Sequence, residues 1–164
     1  MTADFRPELA LAALLRHEVE FVLIGGLAAR LLGSATATRD TDVCHRRTGD
    51  NLERLAAALT ELHATPRGVD DDVPFRLDAR TLKARASFTF STDAGALGVL
   101  ARPAGANGYD QLHAMATPYE LAGGLVWVVH LDDLIQMKRA AARPKDLRVV
   151  EELLALRDQL TGQL

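Results

Sequence analysis

The chain reads as an α/β fold, a mixed sheet flanked by helices with further helices closing the C-terminal end, on three observations. Phe21-Val22-Leu23-Ile24 and Thr41-Asp42-Val43-Cys44 have the length and apolar content of strands, and helix-forming residues separate them. Ala86 to Ser91 alternates small or polar residues with phenylalanines, and Leu97 to Ala101 follows across the turn residues Asp93-Ala94-Gly95, which predicts a hairpin beside the first two strands. Residues 132–142 and 144–160 carry helical spacing, the second opening on Pro144, and predict two closing helices.

The remaining elements follow in order. Pro7 to His17 carries helix signals. Gly25-Gly26 ends the first strand with residues lacking Cβ, and Leu27 to Leu32 are good helix formers, so the glycines stand where a helix N-terminus offers free N–H groups to a phosphate. Gly33 is the expected end of that helix. Asp50 is the expected N-cap of a helix carrying Leu52, Leu55, Leu59 and Leu62. Pro66 to Arg80 is polar and acidic and reads as a loop, with Asp70-Asp71-Asp72 either a solvated turn or a flap beside the site. Gly105 to Gly108 reads as a loop, Tyr109 to Met115 as a short helix and Leu125 to Val129 as a strand.

Composition bounds the organisation. A length of 164 residues with 48% hydrophobic content fits one domain over 1–164, core about 18–130 and closing helices about 131–164, without disulfides or structural metal. A net charge of -3 argues against a surface wholly devoted to nucleic acid but leaves room for a local basic patch. Cys44 is the only cysteine and reads as a small buried hydrophobe. The five histidines lack paired ligand spacing, so zinc is not expected. With no secretory pattern at Met1-Thr2-Ala3-Asp4 and no apolar stretch of membrane-span length, a cytoplasmic location is expected.

The chemistry concentrates around position 40. Side chains at i and i+2 of a strand leave the same face, so Asp40 and Asp42 aim at one point. Paired carboxylates are hard oxygen ligands suited to magnesium, which keeps waters and completes its shell from substrate phosphates. Lys138 shares the helix face of Leu134 and Ile135, either as a chain covering the core edge with its ammonium in water or as a point charge for phosphate. Asp146 either complements the dipole of the helix starting at Pro144 or joins the polar cluster. Arg39, Arg46, Arg47, Arg139, Arg143, Lys145 and Arg148 are candidates for a basic surface facing an RNA backbone.

Gly25-Gly26-Leu27-Ala28, Gly33-Ser34 and Thr38-Arg39-Asp40-Thr41-Asp42-Val43 together resemble the signature of small nucleotidyltransferases of the polymerase-beta-like superfamily. Leu131 to Leu147 resembles the C-terminal segment of that group, and Thr92 to Leu100 with Arg102-Pro103-Ala104-Gly105 its central hairpin. Within the superfamily the chain is most similar to AbiEii and MenT type toxin nucleotidyltransferases, whose better-studied members transfer nucleotides from NTPs to the acceptor end of tRNA. The resemblance implies a polymerase-beta-like fold, magnesium as cofactor, NTP and tRNA as substrates, a cognate antitoxin as partner and no membrane. It further implies that Asp40 and Asp42 bind metal, that Gly25, Gly26, Thr38 and Arg39 border the nucleotide, that Lys138 contacts phosphate, and that Asp146 completes the polar cluster.

One departure stands out. Where many relatives carry a third acid in a Gly-x-Leu-Asp-Leu-Leu pattern, this chain reads Gly95-Ala96-Leu97-Gly98-Val99-Leu100. A substitute acid such as Asp146, Asp93 or Asp78, a slower reaction, or a nucleotide-binding protein without catalysis would each answer to that. Transfer of AMP to a partner protein is the remaining alternative acceptor chemistry.

Overall fold

The computed structural model describes residues 3–70 and 72–162. Asp71, the middle acid of the acidic run, and Met1-Thr2 lie outside the described residues.

Helix α1 (Pro7–Arg16) begins on a proline, whose missing N–H is no loss in the first turn, with Glu8 at its N-terminal and Arg16 at its C-terminal end, as the helix dipole favours. Strand β1 (Phe21–Ile24) is buried at all four positions. It runs directly into α2 (Gly25–Leu31), which Gly33 closes with φ +122° while Ser34 N–H returns to the Ala29 carbonyl. Strand β2 (Asp40–His45) then pairs antiparallel with β1, Ile24 opposite Asp42 and Phe21 opposite His45. That antiparallel return brings the glycine turn ending β1 and the acids opening β2 to the same edge of the sheet.

Beyond β2 the chain forms α3 (Gly49–Glu61), β3 (Thr65–Pro66), α4 (Ala79–Lys83) and the hairpin β4 (Ser87–Thr92) and β5 (Gly95–Leu100). Helix α5 (Tyr109–Met115), the hairpin β6 (Thr117–Leu121) and β7 (Gly124–Val128), α6 (Leu131–Ala141) and α7 (Pro144–Gly162) complete it. The seven strands form one mixed sheet in the order β3-β4-β5-β2-β1-β7-β6, with β5 parallel to β2 and β7 parallel to β1. Fully buried leucines of α1 and α3 (Leu14, Leu52, Leu55, Leu59) and of α6 and α7 (Leu134, Leu153) join the sheet residues in one apolar cluster. Truncating any one of them to alanine costs about 2–5 kcal/mol. Among the described residues, no helix is long and apolar enough to cross a membrane.

Three expectations need correction. Asp50 lies inside the first turn of α3, and Thr48 takes the N-cap position. The segment Pro66 to Arg80 is not all loop: Pro66 pairs with Phe90 in β3, and α4 begins at Ala79. Strand β6 has no counterpart in the sequence reading. Pro118 disguises it, because proline lacks the N–H a ladder requires and is confined to sheet edges, which is where β6 lies. The β6–β7 turn has Ala122 and Gly123 at φ 53° and 85°, the signs of a type I′ hairpin.

Candidate active site

A cleft of about 440 Å³ opens where β1 ends and β2 begins. Its floor is the sheet face carrying Asp40 and Asp42, and α2, α6 and α7 supply one wall. Gly25 opens α2 at φ +73°, and a Cβ there would lie 2.7 Å from Asp42 Oδ2, so backbone and carboxylate touch only because the residue is glycine. A Cβ at Gly26 would meet Thr38 Oγ1 at 2.7 Å. Thr38 in turn lies 3.4 Å from the Asp40 backbone N–H, so glycine turn, threonine and acid pair form one contiguous unit.

The acids are unequal. Asp40 is exposed, whereas Asp42 is partly buried between Gly25 and Gly98. Burial first, and the neighbouring Asp40 charge second, push the Asp42 carboxyl up to about 6, against the opposing pull of Lys138, Arg143 and Lys145. Among the described residues neither acid forms an ion pair within 4.0 Å.

Lys138 projects from α6 with its side chain 15% exposed, and its ammonium lies 3.4 Å from Asp146 Oδ1. Asp146 is buried and heavily engaged: Arg143 donates from Nε at 2.6 Å, from Nη2 at 3.3 Å and from its backbone N–H at 3.3 Å. Burial alone would raise the Asp146 pKa, but the Arg143 hydrogen bonds and the Lys138 charge outweigh it and hold the carboxyl below its ordinary value. The backbone contact also caps the start of α7, as the acid of a capping box does. Asp146 therefore braces two cations at the cleft.

Of the other candidate acids, Asp78 caps α4 by accepting the Thr81 N–H at 2.8 Å, and Asp93 pairs with His63 in the β4–β5 turn; neither lines the cleft. Gly98 sits directly opposite Asp42 on β5, and a Cβ there would overlap Asp42 Oδ1. The carboxylate of Asp42 thus leans into the volume a side chain at position 98 would need.

The expected basic surface assembles only in part. Arg143 and Lys145 line the cleft beside Lys138. Arg39, Arg139 and Arg148 are exposed and outside its lining. Arg46 and Arg47 belong to the opposite end of β2, where Arg46 pairs with Glu20 and Asp110 and Arg47 donates to the Lys83 carbonyl. Arg67, Thr89 and Ser87 line the strand wall of the cleft without having been anticipated. Nothing local to Arg67 signals this, because its position depends on β3 pairing with β4. Glu152 was missed as well; from α7 it accepts the Ser34 hydroxyl and the Ala35 N–H at 3.3 Å, tying down the loop that leads to Thr38.

The donor set fits magnesium in one respect that matters. Asp40 and Asp42 present two carboxylates on one strand face, and among the described residues no cluster of three or more His, Cys, Asp or Glu side chains could enclose a metal. Magnesium is usually bound in that way, keeping waters and taking further oxygens from phosphates. A divalent cation at the pair would oppose the two effects that raise the Asp42 pKa, burial first and the Asp40 charge second.

No protein-family model matches the chain, and no curated protein matches it by sequence. Solved structures do. The antibiotic-resistance factor ANT(2'')-Ia superposes with a TM-score of 0.54 at 17% identity, over 94% of this chain and 89% of that one. TM1012 of Thermotoga maritima, assigned as a nucleotidyltransferase, superposes with a TM-score of 0.50 at 16% identity, over 98% and 97%. The mixed seven-stranded sheet, its flanking helices and the two closing helices are accordingly the nucleotidyltransferase fold.

Proposed function

We propose that the protein is a magnesium-dependent nucleotidyltransferase that moves an NMP unit from an NTP to an acceptor hydroxyl. The observation that carries the reading is the joint geometry of Gly25, Asp40 and Asp42: a carboxylate pair on one strand face, packed against a backbone turn that no side chain may obstruct. Asp40 and Asp42 would hold the metal, which supplies charge neutralisation and orientation of the triphosphate. Gly25, Gly26 and Thr38 border the triphosphate, and Lys138, held by Asp146, offers a point charge to its oxygens. The acceptor oxygen forms a bond to the α-phosphorus, the bond to the bridging oxygen of pyrophosphate breaks, and the hydroxyl proton leaves to solvent. Catalysis on this scheme is positioning and electrostatics.

The sequence resemblance gives the finer assignment: the acceptor is the 3' end of tRNA, and the protein is the toxin of a toxin–antitoxin pair. Incubation with each α-labelled NTP, magnesium and total tRNA tests both donor and acceptor, with label in RNA as the expected result. Asp40→Ala, Asp42→Ala and Lys138→Ala should each abolish labelling while circular dichroism stays native; undiminished labelling in all of them would exclude the mechanism. A second reading, NTP binding without transfer, is favoured by Gly98 and by the engagement of Asp146 with Arg143 and Lys138. It predicts nucleotide binding and no labelled product of any kind, whereas label in polypeptide would point to protein AMP transfer.

A further inference from the structure

The wall of the cleft facing away from α6 and α7 is built from strands, and its chemistry differs from that of the helical wall. The register runs straight across the sheet: Asp42 on β2 is opposite Gly98 on β5, Gly98 is opposite Thr89 on β4, and the Arg67 N–H donates to the Thr89 carbonyl at 2.8 Å, continuing the β3–β4 ladder by one residue. Residues aligned across paired strands share a face. Carboxylate, glycine, hydroxyl and guanidinium therefore lie in one row, and all of them line the cleft.

Two consequences follow from the spacing and the charges. Neighbouring strands lie about 4.8 Å apart, so Asp42 and Thr89 are separated by about 10 Å of backbone with no side chain standing between them. The Asp42 carboxylate fills the volume that a Cβ at Gly98 would take, which sets one of its oxygens on the side of the row toward Thr89. Beyond the acid pair, the strand wall carries a single charged lining residue among the described residues, Arg67; its lining neighbours Ser87 and Thr89 are hydroxyls. Among the described residues no carboxylate lies within 4.0 Å of the Arg67 guanidinium. A planar, permanently charged fork is matched to the paired oxygens of a phosphate.

We propose that Thr89 and Arg67 form the acceptor track of the cleft, with the reacting hydroxyl seated beside Asp42 where its carboxylate leans over Gly98 and a phosphate group of the same acceptor held by Arg67. The inference rests on the transferase reading of the cleft and narrows its acceptor to a phosphate-bearing hydroxyl compound. Such a phosphate could belong to the terminal nucleotides of an RNA or to a small phosphorylated sugar.

The test uses the full chain with magnesium. A fluorescent ATP analogue (MANT-ATP) is titrated first; then, with that nucleotide saturating, a short fluorescein-labelled single-stranded RNA and ribose 5-phosphate are titrated into wild type, Arg67→Glu, Arg67→Lys and Thr89→Val. Arg67→Glu should weaken binding of the phosphate-bearing probe at least about tenfold, the scale of one charge-assisted contact, and leave MANT-ATP affinity within about twofold. Arg67→Lys should retain most of the binding, and Thr89→Val should lose less than Arg67→Glu. Loss seen with RNA alone assigns the polymer, and loss seen with ribose 5-phosphate assigns the small acceptor. Normal MANT-ATP binding with RNA and sugar phosphate affinities identical in wild type and Arg67→Glu, or absent from both, overturns the acceptor track and leaves the transferase reading standing. Failure of wild type to bind MANT-ATP overturns the transferase reading itself, and the track falls with it.

Discussion

The two ends of strand β2 lie about 17 Å apart along one short run of backbone and handle charge in opposite ways. At the far end Arg46 donates to both Glu20 oxygens at 3.0 and 3.2 Å and to Asp110 at 3.0 Å, with its guanidinium 5.0 Å above the Tyr109 ring. Fully buried Asn51 stitches that end together by accepting the Glu20 N–H and donating to the Glu20 and Arg46 carbonyls. At the near end, Asp40 and Asp42 have no such partners among the described residues, and cations of α6 and α7 stand nearby without closing on them. A charge satisfied inside the protein stabilises the fold; a charge left open is available to a ligand. The contrast makes the near end the candidate site on geometry and charge alone.

Among changes that leave every charge in place, substituting Gly98 by Ala should break the near end most severely. The new Cβ would overlap Asp42 Oδ1 and force the carboxylate to rotate or the strands to shift. A displacement of about 1 Å in a reacting group costs on the order of 10²-fold in rate. Steady-state NMP transfer and a native circular dichroism spectrum check this together; retention of full activity in Gly98→Ala would show that Asp42 is free to move aside. Addition of an acid at the same position should not restore a faster enzyme, since Asp42 already occupies the space.

Asp146→Asn tests whether the buried acid braces cations or takes part in the chemistry. As a brace it acts through Lys138 and Arg143, so the variant should raise KM for NTP about tenfold, the value of roughly one charge-assisted hydrogen bond, and change kcat much less. A collapse of kcat at unchanged KM would make Asp146 the substitute for the acid that Gly98 lacks. Kinetics at saturating acceptor separate the two outcomes.

How far the sequence reveals these features depends on whether they are local. β1, α2, β2, the hairpin and the closing helices each rest on a periodicity or on a glycine or proline signal within their own span, and each forms within a residue or two of its expected limits. The meeting of Gly25 with Asp42 follows from one antiparallel pairing of adjacent strands. Arg67 and Thr89 come to the cleft through pairing across three further strands, which no local pattern encodes. Its own span gives Asp146 as a helix-start acid, and its place in the polar cluster comes from the resemblance, because its neighbour Lys138 arrives from another helix. Likewise, the assignment of Arg46 to a basic surface fails because its acidic partners, Glu20 and Asp110, come from segments far apart in the chain.

His45 carries the contrast between the ends of β2 into stability. It is 2% exposed, neither ring nitrogen has a hydrogen-bond partner among the described residues, and burial first and Arg47 second push its pKa down to about 4. The unfolded chain would take up this proton near 6.5, so between about pH 6.5 and 4 the unfolded state binds more protons and stability falls as pH falls. A shift of that size corresponds to about 3 kcal/mol. Asp42 acts in the opposite sense: with its folded pKa raised to about 6, it retains a proton that the unfolded chain releases, adding stability that is lost as pH rises toward 6. His45→Leu should therefore flatten the acid limb of a denaturation series run without metal, and Asp42→Asn should steepen it. An unchanged slope in His45→Leu would mean that the imidazole is already solvated in the native state.

Arg46→Ala should have the smallest effect, and its smallness is informative. Arg46 is a cation like those of the cleft and directly follows the strand that carries the acid pair, yet its guanidinium is committed to Glu20, Asp110 and the Tyr109 ring. Its partners are themselves partly or largely exposed, so water can replace it without leaving a buried charge stranded. Transfer rate, KM for NTP and the salt dependence of RNA binding should all stay within about twofold of wild type, whereas Arg67→Glu changes the last of these because each phosphate contact contributes its own counterion to the salt slope. If Arg46→Ala instead reduced that slope by about one unit, as a lost phosphate contact would, RNA would have to extend over the far end of β2, and internal pairing would no longer separate the structural end of the strand from the working one.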